Sequence, residues 1–510
     1  MNIRRTNDNK IERTRTKTAK TPRKKHLLPL AIIFLSLALL HHLTAQPVAA
    51  DHHEENGPRY KNVILFVTDD LSPDLGCYGN PVIKTPHLDA LARQGTRFGR
   101  AFATTASCSA SRSVILSGLH NHATWQYGHE HGVNHFRTKA DLPTLPVLLS
   151  KAGYHTVRIG KFHVAPTETY RFDEIRGVHP RSTIEMAESL RAPLSREQDK
   201  PLFIYCATSD PHRGNGPAKE IATTPNRFGN PKPGESYPQV SEVSYRAEDV
   251  IVPAFLPDTP ECRAELAQYY QAVSRVDAGI GRLMEIVKDT GHEDDTLVIF
   301  TSDHGIAMPG AKTTAYEPGL QVPMIVRHPQ ATKRGGKNDS LVSLVDLVPT
   351  ILDYAGAYDA ERDAKRYHGR SFLKATLGEE DPGPEEIYAS HTFHEIQMYY
   401  PMRVVRTDRY KLIWNIAHQL PFPFASDLWS ATTWQAQYKK CADAPYGKKT
   451  VGQYIQRPRF ELFDLKLDPH ETRNLADDPA HAKRIAELKQ KLRTFQQRTG
   501  DRWVRKWEYE

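Results

Sequence analysis

Carboxylates follow two apolar segments of the sequence, at the points where those segments end. Asp69 and Asp70 follow the first of these segments, and Asp303 and His304 follow a much later one. Adjacent carboxylates are costly to bring together without a cation, so a hard metal ion is their natural partner. An oxygen-rich set favours calcium, then magnesium, whereas zinc would take more nitrogen or sulfur. Taken alone, Asp69 and Asp70 are also compatible with a turn or a helix cap.

A cysteine stands where a helix is expected to begin. Cys108 opens the segment CSASR, which precedes a short apolar stretch and then Gly118. This pattern predicts a helix that starts near Cys108 and stops at the glycine. A helix N-terminus offers N–H groups and partial positive charge, which suit a nucleophile facing an anion. The odd number of cysteines, five, also suggests one thiol with a separate function, although an inert buried thiol fits as well.

Cationic and proton-carrying side chains follow further apolar segments. They are Lys161, His163, His212 and Lys312. A sulfuryl or phosphoryl group needs fixed positive charge on its oxygens and an acid for its leaving atom. These four side chains could supply both.

Four short segments of continuous apolar character precede most of these residues. They are 62–68, 155–159, 201–207 and 296–302. Continuous apolar character is typical of buried parallel strands. Ligands of such sheets bind outside the carboxyl ends of the strands, so residues distant in sequence should converge on one pocket.

Helical patterns alternate with these strands, and the pattern changes near residue 386 to shorter alternating segments. We therefore predict an α/β fold, with a large doubly wound mixed sheet flanked by helices and a smaller C-terminal α+β subdomain built on an antiparallel sheet. The expected organisation is a leader at 1–50, a catalytic domain at 55–385 and a C-terminal subdomain at 386–510.

The basic character of the chain is confined to its leader. The formal net charge is +8, and residues 1–25 carry ten Lys or Arg against two acidic residues, so the sequence after residue 50 is formally neutral. This distribution argues against a nucleic-acid partner. The apolar segment 27–40 and the small residues 48–50 resemble an export signal with a cleavage site. We expect a periplasmic or secreted protein without stable membrane association, the alternative being an uncleaved anchor.

The quoted motifs together resemble the sulfatase family. Residues 108–112 are similar to the sulfatase signature C-x-[P/A]-S-R, and the other motifs fall in the order that sulfatases use. The resemblance is closest to the heparan N-sulfatase branch, through 118–128, 135–136, 210–213 and 394–403. Two positions depart from that branch: His304 stands where it usually has Asn, and Lys312 where it has Arg.

This resemblance implies a cofactor made from the chain itself. Cys108 would be oxidised by a formylglycine-generating enzyme, and the hydrated aldehyde would bind calcium, or less favourably magnesium, and attack sulfur. The implied metal ligands are Asp69, Asp70, Cys108, Asp303 and His304. A plain thiol could not expel the sulfate afterwards, so the modification is required.

The resemblance also implies roles around the sulfate group. Lys161, His212 and Lys312 would hold its oxygens, and His163 or His212 would protonate the departing atom. Arg112 would stabilise the hydrated aldehyde.

The substrate implied is a sulfated glycan, with N-sulfoglucosamine at its terminus. Asp210, Arg213, His394 and Glu395 are the candidate sugar-binding residues. The alternatives are an O-sulfatase acting on another sulfated polysaccharide, a phosphodiesterase or phosphonate hydrolase, and an inactive binding relative. A homodimer is compatible with the sequence, which leaves the oligomeric state open.

Overall fold

A mixed sheet of nine strands carries the residues that the sequence singled out. The computed structural model describes residues 62–196 and 200–509. The strands in chain order are β1 Asn62–Thr68, β2 Thr96–Phe102, β3 His155–Gly160, β4 Glu174–Arg176, β5 Leu202–Ala207, β6 Thr296–Ser302, β7 Gln321–Arg327, β8 Gly336–Asn338 and β9 Val342–Ser343. Their spatial order is β4-β3-β5-β1-β6-β7-β2-β8, and β9 also pairs with β2.

The four strands predicted from continuous apolar segments are neighbours in this sheet. They lie in the order β3-β5-β1-β6 and pair in parallel. Side chains of a strand point alternately to its two faces, and in β1 both faces are covered. Val63 and Leu65 pack into one hydrophobic core, while Ile64 and Phe66 pack into the other. Burial on both faces explains why these segments lack polar alternation.

Antiparallel strands at one side give the sheet its mixed character. The strand β7 pairs antiparallel with both β6 and β2. The strand β2 then pairs in parallel with β8 and β9. The predicted mixed α/β sheet is therefore confirmed.

Helices cover both faces of this sheet, and further helices lie in the C-terminal part of the chain. Within the described residues they are α1 Pro86–Gln94, α2 Cys108–Ser117, α3 Asn121–Thr124, α4 Leu145–Lys151, α5 Thr183–Ser195, α6 Pro260–Asp289, α7 Glu317–Leu320, α8 Leu347–Tyr354, α9 Ala360–Arg366, α10 Leu373–Leu377, α11 Ser426–Trp429, α12 Thr432–Tyr438, α13 Val451–Ile455, α14 Ala482–Thr499 and α15 Lys506–Tyr509. Short 3-10 turns lie at Gly76–Tyr78, Thr167–Tyr170, Leu344–Asp346, Pro479–His481 and Arg502–Arg505.

A second sheet, antiparallel as predicted, begins at Glu386. Its strands are β10 Glu386–His391, β11 Met402–Thr407, β12 Tyr410–Asn415 and β15 Phe460–Asp464, in that spatial order; the two-residue strands β13 Pro445–Tyr446 and β14 Lys449–Thr450 form a separate hairpin. One face of the four-stranded sheet joins a core of the large sheet, through Val404 and Ile413 among others. The other face packs Leu412 and Trp414 against Leu492 of α14.

The predicted leader at 1–50, with its apolar segment 27–40, lies outside the described residues. Among the helices of residues 62–196 and 200–509, none combines the length and apolar character that a bilayer span requires. The predicted division at 385/386 stays a prediction.

Candidate active site

Carboxylates from two neighbouring strands meet at the carboxyl edge of the large sheet. Asp69 and Asp70 directly follow β1, and Asp303 and His304 follow β6. The backbone N–H of Asp70 donates to Asp303 Oδ1 at 3.1 Å, and His304 Nε2 lies 3.1 Å from Asp70 Oδ1. All four residues are fully buried. Parallel pairing of β1 with β6 therefore places the carboxylates together, as the sequence predicts.

Cys108 is the first residue of α2, whose N-terminus is directed at these carboxylates. Its Sγ lies 3.3 Å from His304 Nε2 and 3.9 Å from Asp70 Oδ1. Ser111, one turn into the helix, donates to the backbone oxygen of Asp303 at 2.5 Å. Gly118 ends α2 with a φ of 69°, in the left-handed region that glycine adopts readily. Burial, the largest effect, raises the pKa of the Cys108 thiol well above its usual value, so the unmodified side chain is a neutral thiol.

Buried cations hold one side of the carboxylate set. Arg112 Nη2 lies 3.2 Å from Asp69 Oδ1 and 3.0 Å from Asp303 Oδ2. Lys161, which follows β3, forms a short ion pair with Asp69 Oδ2. Burial alone would raise the pKa of Asp69, but Lys161, His212 and Arg112 outweigh it and hold that pKa well below its usual value. Burial together with the charge of Asp69 raises the pKa of Asp303 to about 6.

Lys312 holds the opposite side. Its Nζ donates to Asp70 Oδ2 at 2.9 Å and lies 3.1 Å from His212 Nε2. It also donates to Asp427 Oδ2 at 3.3 Å, a contact made from α11 in the C-terminal part of the chain. Burial first, and then the positive charge of Lys312, lowers the pKa of His212 to about 4. No sequence pattern predicts Asp427 as a site residue, because only the tertiary fold brings α11 to this edge.

Two of the site residues adopt the left-handed backbone region. Asp70 has a φ of 65° and His163 a φ of 59°. This region is uncommon for residues other than glycine and costs roughly 1 kcal/mol or more, which surrounding contacts must offset. Gly305, directly after His304, is required for a different reason: a Cβ there would collide with the backbone oxygen of Pro318.

An open cavity of about 740 Å³ gives access to this edge. Lys161, His163, His212 and Lys312 line it, as the sequence predicts for a shared pocket. Residues from the candidate sugar-binding set and further residues also line it: His394, Glu395, His129, His131 and Asp427. The histidines at 129 and 131 alternate along the sequence, and this alternation was the one signal that could have drawn attention to them.

Asp210 and Arg213 lie elsewhere, beneath the cavity. Both oxygens of Asp210 are engaged, by an ion pair with Arg181 and by Arg275 Nε at 2.7 Å. Arg213 donates to both oxygens of Glu265, at 2.8 and 2.9 Å. Asp210 is fully buried and Arg213 nearly so, and neither lines the cavity. Ion pairs inside the protein satisfy the polar atoms of both residues, so their expected sugar contacts stay a prediction that this geometry does not support.

The buried donors fit a hard cation. Two groups have ligand atoms within 4.8 Å of one another, Asp70–Cys108–His304 and Asp69–Cys108–Asp303. Asp303 Oδ2 is ion-paired with Arg112 Nη2 at 3.0 Å but accepts no hydrogen bond, so this buried carboxylate oxygen has capacity left to bind an ion. Three carboxylates and one imidazole form the oxygen-rich set that calcium or magnesium takes.

Comparison with known proteins identifies the family. The sulfatase family profile matches residues 61–357, more than half of the chain. The chain belongs to the sulfatase family. A second profile, described as the C-terminal part of N-sulphoglucosamine sulphohydrolase, matches residues 310–421 and so includes Lys312 and Glu395 of the site.

Three relatives show how far this sulfatase similarity extends. Human N-sulphoglucosamine sulphohydrolase is 39% identical over 463 residues, with 88% of this chain and 92% of the human protein covered. An ulvan-active sulfatase of Formosa agariphila is 28% identical, with 86% of this chain and 80% of that protein covered. A protein solved with its substrate D-glucosamine-2-N,6-O-disulfate superposes with a TM-score of 0.61 at 22% identity, covering 87% of this chain and 99% of that one. The similarity to this solved structure supports the sulfatase fold of the chain.

Proposed function

We propose that this chain hydrolyses the N-linked sulfate of terminal N-sulfoglucosamine in heparan-type glycans. The observation that carries the proposal is the similarity to human N-sulphoglucosamine sulphohydrolase over almost the whole length of both proteins. The buried site supports the same chemistry, because a cysteine, three carboxylates and a ring of cations meet at one sheet edge.

Calcium is the proposed metal, with magnesium as the less favoured ion. Asp69, Asp70, Asp303 and His304 would hold it, and the ion would polarise oxygen and stabilise negative charge during sulfate transfer. Cys108, oxidised by a formylglycine-generating enzyme, would supply an oxygen ligand in place of its sulfur. The neutral, buried thiol supports a role as precursor, since an unmodified nucleophile would need to be a thiolate.

The cations around the cavity suit a sulfate group. Lys161, His212 and Lys312 would hold its oxygens, while Arg112 steadies the modified residue at position 108. His163 or His212 would donate the proton that the departing nitrogen takes. Burial and then Lys161 hold the pKa of His163 well below its usual value, and the negative charge of a bound sulfate would raise it toward the range of a useful acid.

His394 and Glu395 remain the proposed sugar-binding residues. Both line the cavity, and Glu395 Oε1 accepts a hydrogen bond of 2.6 Å from Ser426, which fixes the carboxylate at the rim. Asp210 and Arg213 would instead position the backbone around His212. Arg181, paired with Asp210, donates to the backbone oxygen of His212 at 3.1 Å.

An O-sulfatase is the second candidate, and Lys312 and His304 favour it. Both contact Asp70 in the centre of the site, so the residues that depart from the N-sulfatase pattern lie beside the reacting group.

A comparison of three substrates tests the proposal. The protein is co-expressed with a formylglycine-generating enzyme, and sulfate release is measured from N-sulfoglucosamine, 6-O-sulfated glucosamine and a sulfated galactose. Release from N-sulfoglucosamine with the highest kcat/KM is the expected result. Release from an O-sulfated sugar alone would refute the N-sulfatase assignment and support the second candidate.

We propose export to the periplasm or the exterior on the basis of the leader sequence, with cleavage near residue 50. Comparing the mass of the mature chain with that of the full sequence tests this proposal, because an uncleaved leader would leave the full mass.

A further inference from the structure

Three histidines meet at the mouth of the active-site cavity, above the carboxylates. His129, His131 and His163 each offer a ring nitrogen, and these nitrogens lie within 4.8 Å of one another. The ring centroids of His129 and His163 are 4.8 Å apart, and those of His131 and His163 are 4.6 Å apart. Of the three rings, only that of His163 belongs to the sulfatase-like motifs, so those motifs do not account for the meeting of all three.

Two of the rings already direct a nitrogen at each other, while His129 Nδ1 lies 3.5 Å from Ser109 Oγ. His163 Nδ1 is buried without a hydrogen-bond partner, and His163 Nε2 lies 2.6 Å from His131 Nδ1. Burial is the main reason that the pKa values of His129 and His163 lie well below the usual histidine value, so both rings are neutral at neutral pH. A neutral imidazole is the form that binds a metal ion.

The surroundings hold one ring in place and reduce the repulsion of a cation. His394 Nε2 lies 2.9 Å from His129 Nε2, and Ser107 Oγ lies 3.0 Å from the other nitrogen of His394. Such outer contacts orient a metal-binding ring. The nearby cations Lys161 and Lys312 each pair with a carboxylate, Asp69 for the first and Asp70 for the second.

We propose that His129, His131 and His163 form a second metal site, which takes a borderline transition-metal cation such as Zn²⁺. Three imidazoles and one water make the tetrahedral set that zinc prefers, whereas calcium prefers oxygen. Two nitrogens on one tetrahedral zinc ion lie about 3.4 Å apart, so small side-chain rotations suffice. Because His163 lines the cavity, the bound ion would occupy its mouth and inhibit sulfate release, a consequence that rests on the proposed function.

Zinc binding to the calcium-saturated protein tests the site without any substrate. Equilibrium dialysis measures zinc per chain, and Co²⁺ replaces zinc as a probe whose visible absorption reports tetrahedral nitrogen ligation. The informative variant is His131→Asn, because His131 is exposed and its replacement leaves the core intact. His135→Asn is the matched control: His135 is an exposed histidine of the same loop and is outside the cluster.

The expected result is one zinc ion per chain, with affinity at least about tenfold weaker in His131→Asn and unchanged in His135→Asn. Zinc should inhibit sulfate release at the concentrations at which it binds. Equal zinc affinity in the wild type and His131→Asn would overturn the site, as would the absence of zinc binding beside calcium. If zinc instead displaced calcium, the wild type and His131→Asn would bind zinc with equal affinity. This result would also overturn the site. A protein without N-sulfatase activity would leave the dialysis result unaffected, so the two proposals fail separately.

Discussion

At the scale of single residues, charged side chains that are distant in the sequence neutralise one another in the folded site. Lys312 is buried and contacts Asp70, His212 and Asp427. Burial alone would raise the pKa of Asp427, but Lys312, His212 and Arg213 together outweigh it and hold that pKa far below its usual value. Asp427 is therefore the charged partner that keeps Lys312 in position from the C-terminal part of the chain.

We expect Asp427→Asn to lower kcat/KM for sulfate release by about tenfold, because Lys312 loses one of its two charged partners. Calcium affinity should stay near the wild-type value, since Asp70 is unchanged. The measurement is steady-state kinetics together with calcium titration. Asp443→Asn, at an exposed aspartate, is the control and should behave as the wild type. Wild-type kinetics in Asp427→Asn would contradict the role given to this carboxylate.

The sequence predicted the site residues that stand directly after strands, because the carboxyl edge of a parallel sheet collects them. It did not predict that Asp210 and Arg213, expected at the sugar, lie in buried ion pairs. Their partners Arg181, Arg275 and Glu265 lie 29 to 65 positions away, and no local pattern announces these ion pairs.

At the scale of elements, a buried ion pair connects the loop after β5 to α6. Arg213 and Glu265 form two parallel hydrogen bonds, and Thr433 of α12 adds a third to Glu265 at 2.6 Å. This network fixes the start of the long loop that carries His212.

We expect Arg213→Met to destabilise the protein by about 3 kcal/mol, because Glu265 is left as a buried, unpaired charge. The double variant Arg213→Met with Glu265→Leu should regain part of this loss, since both charges are then removed. Urea unfolding followed by circular dichroism measures the free energies. A single variant within about 0.5 kcal/mol of the wild type would show that the pair does not hold the loop.

The sequence located four neighbouring parallel strands, β3, β5, β1 and β6, within one residue because their continuous apolar character is local. It did not locate β2 and β7. The segment of β2, TRFGRAF, mixes charged residues and glycine, and that of β7 contains Pro323. Their place in the sheet depends on antiparallel pairing between segments over 200 residues apart, which single-sequence patterns do not contain.

At the scale of the whole molecule, the antiparallel sheet contributes to two hydrophobic cores. One face shares a core with the large sheet, and the other face packs on α14. The antiparallel sheet that begins at Glu386 therefore shares a continuous hydrophobic core with the large sheet.

We expect Leu492→Ala in α14 to cost about 2–5 kcal/mol, because it opens a cavity beside Leu412 and Trp414. The exposed Gln497→Ala in the same helix is the control, with a change within about 0.5 kcal/mol. Unfolding should remain a single transition in both variants, since the small sheet shares the core of the large one. Two separated transitions by calorimetry would contradict a continuous core.

The mass of the peptide that contains Cys108 shows whether this residue is the precursor of the nucleophile. Preparations are made with increasing amounts of a formylglycine-generating enzyme, and the aldehyde fraction of the peptide is compared with the rate of sulfate release. We predict that the rate rises in proportion to the aldehyde fraction, and that Cys108→Ser gives neither aldehyde nor turnover with the fold retained. Full activity in a preparation whose Cys108 peptide is entirely thiol would contradict the account.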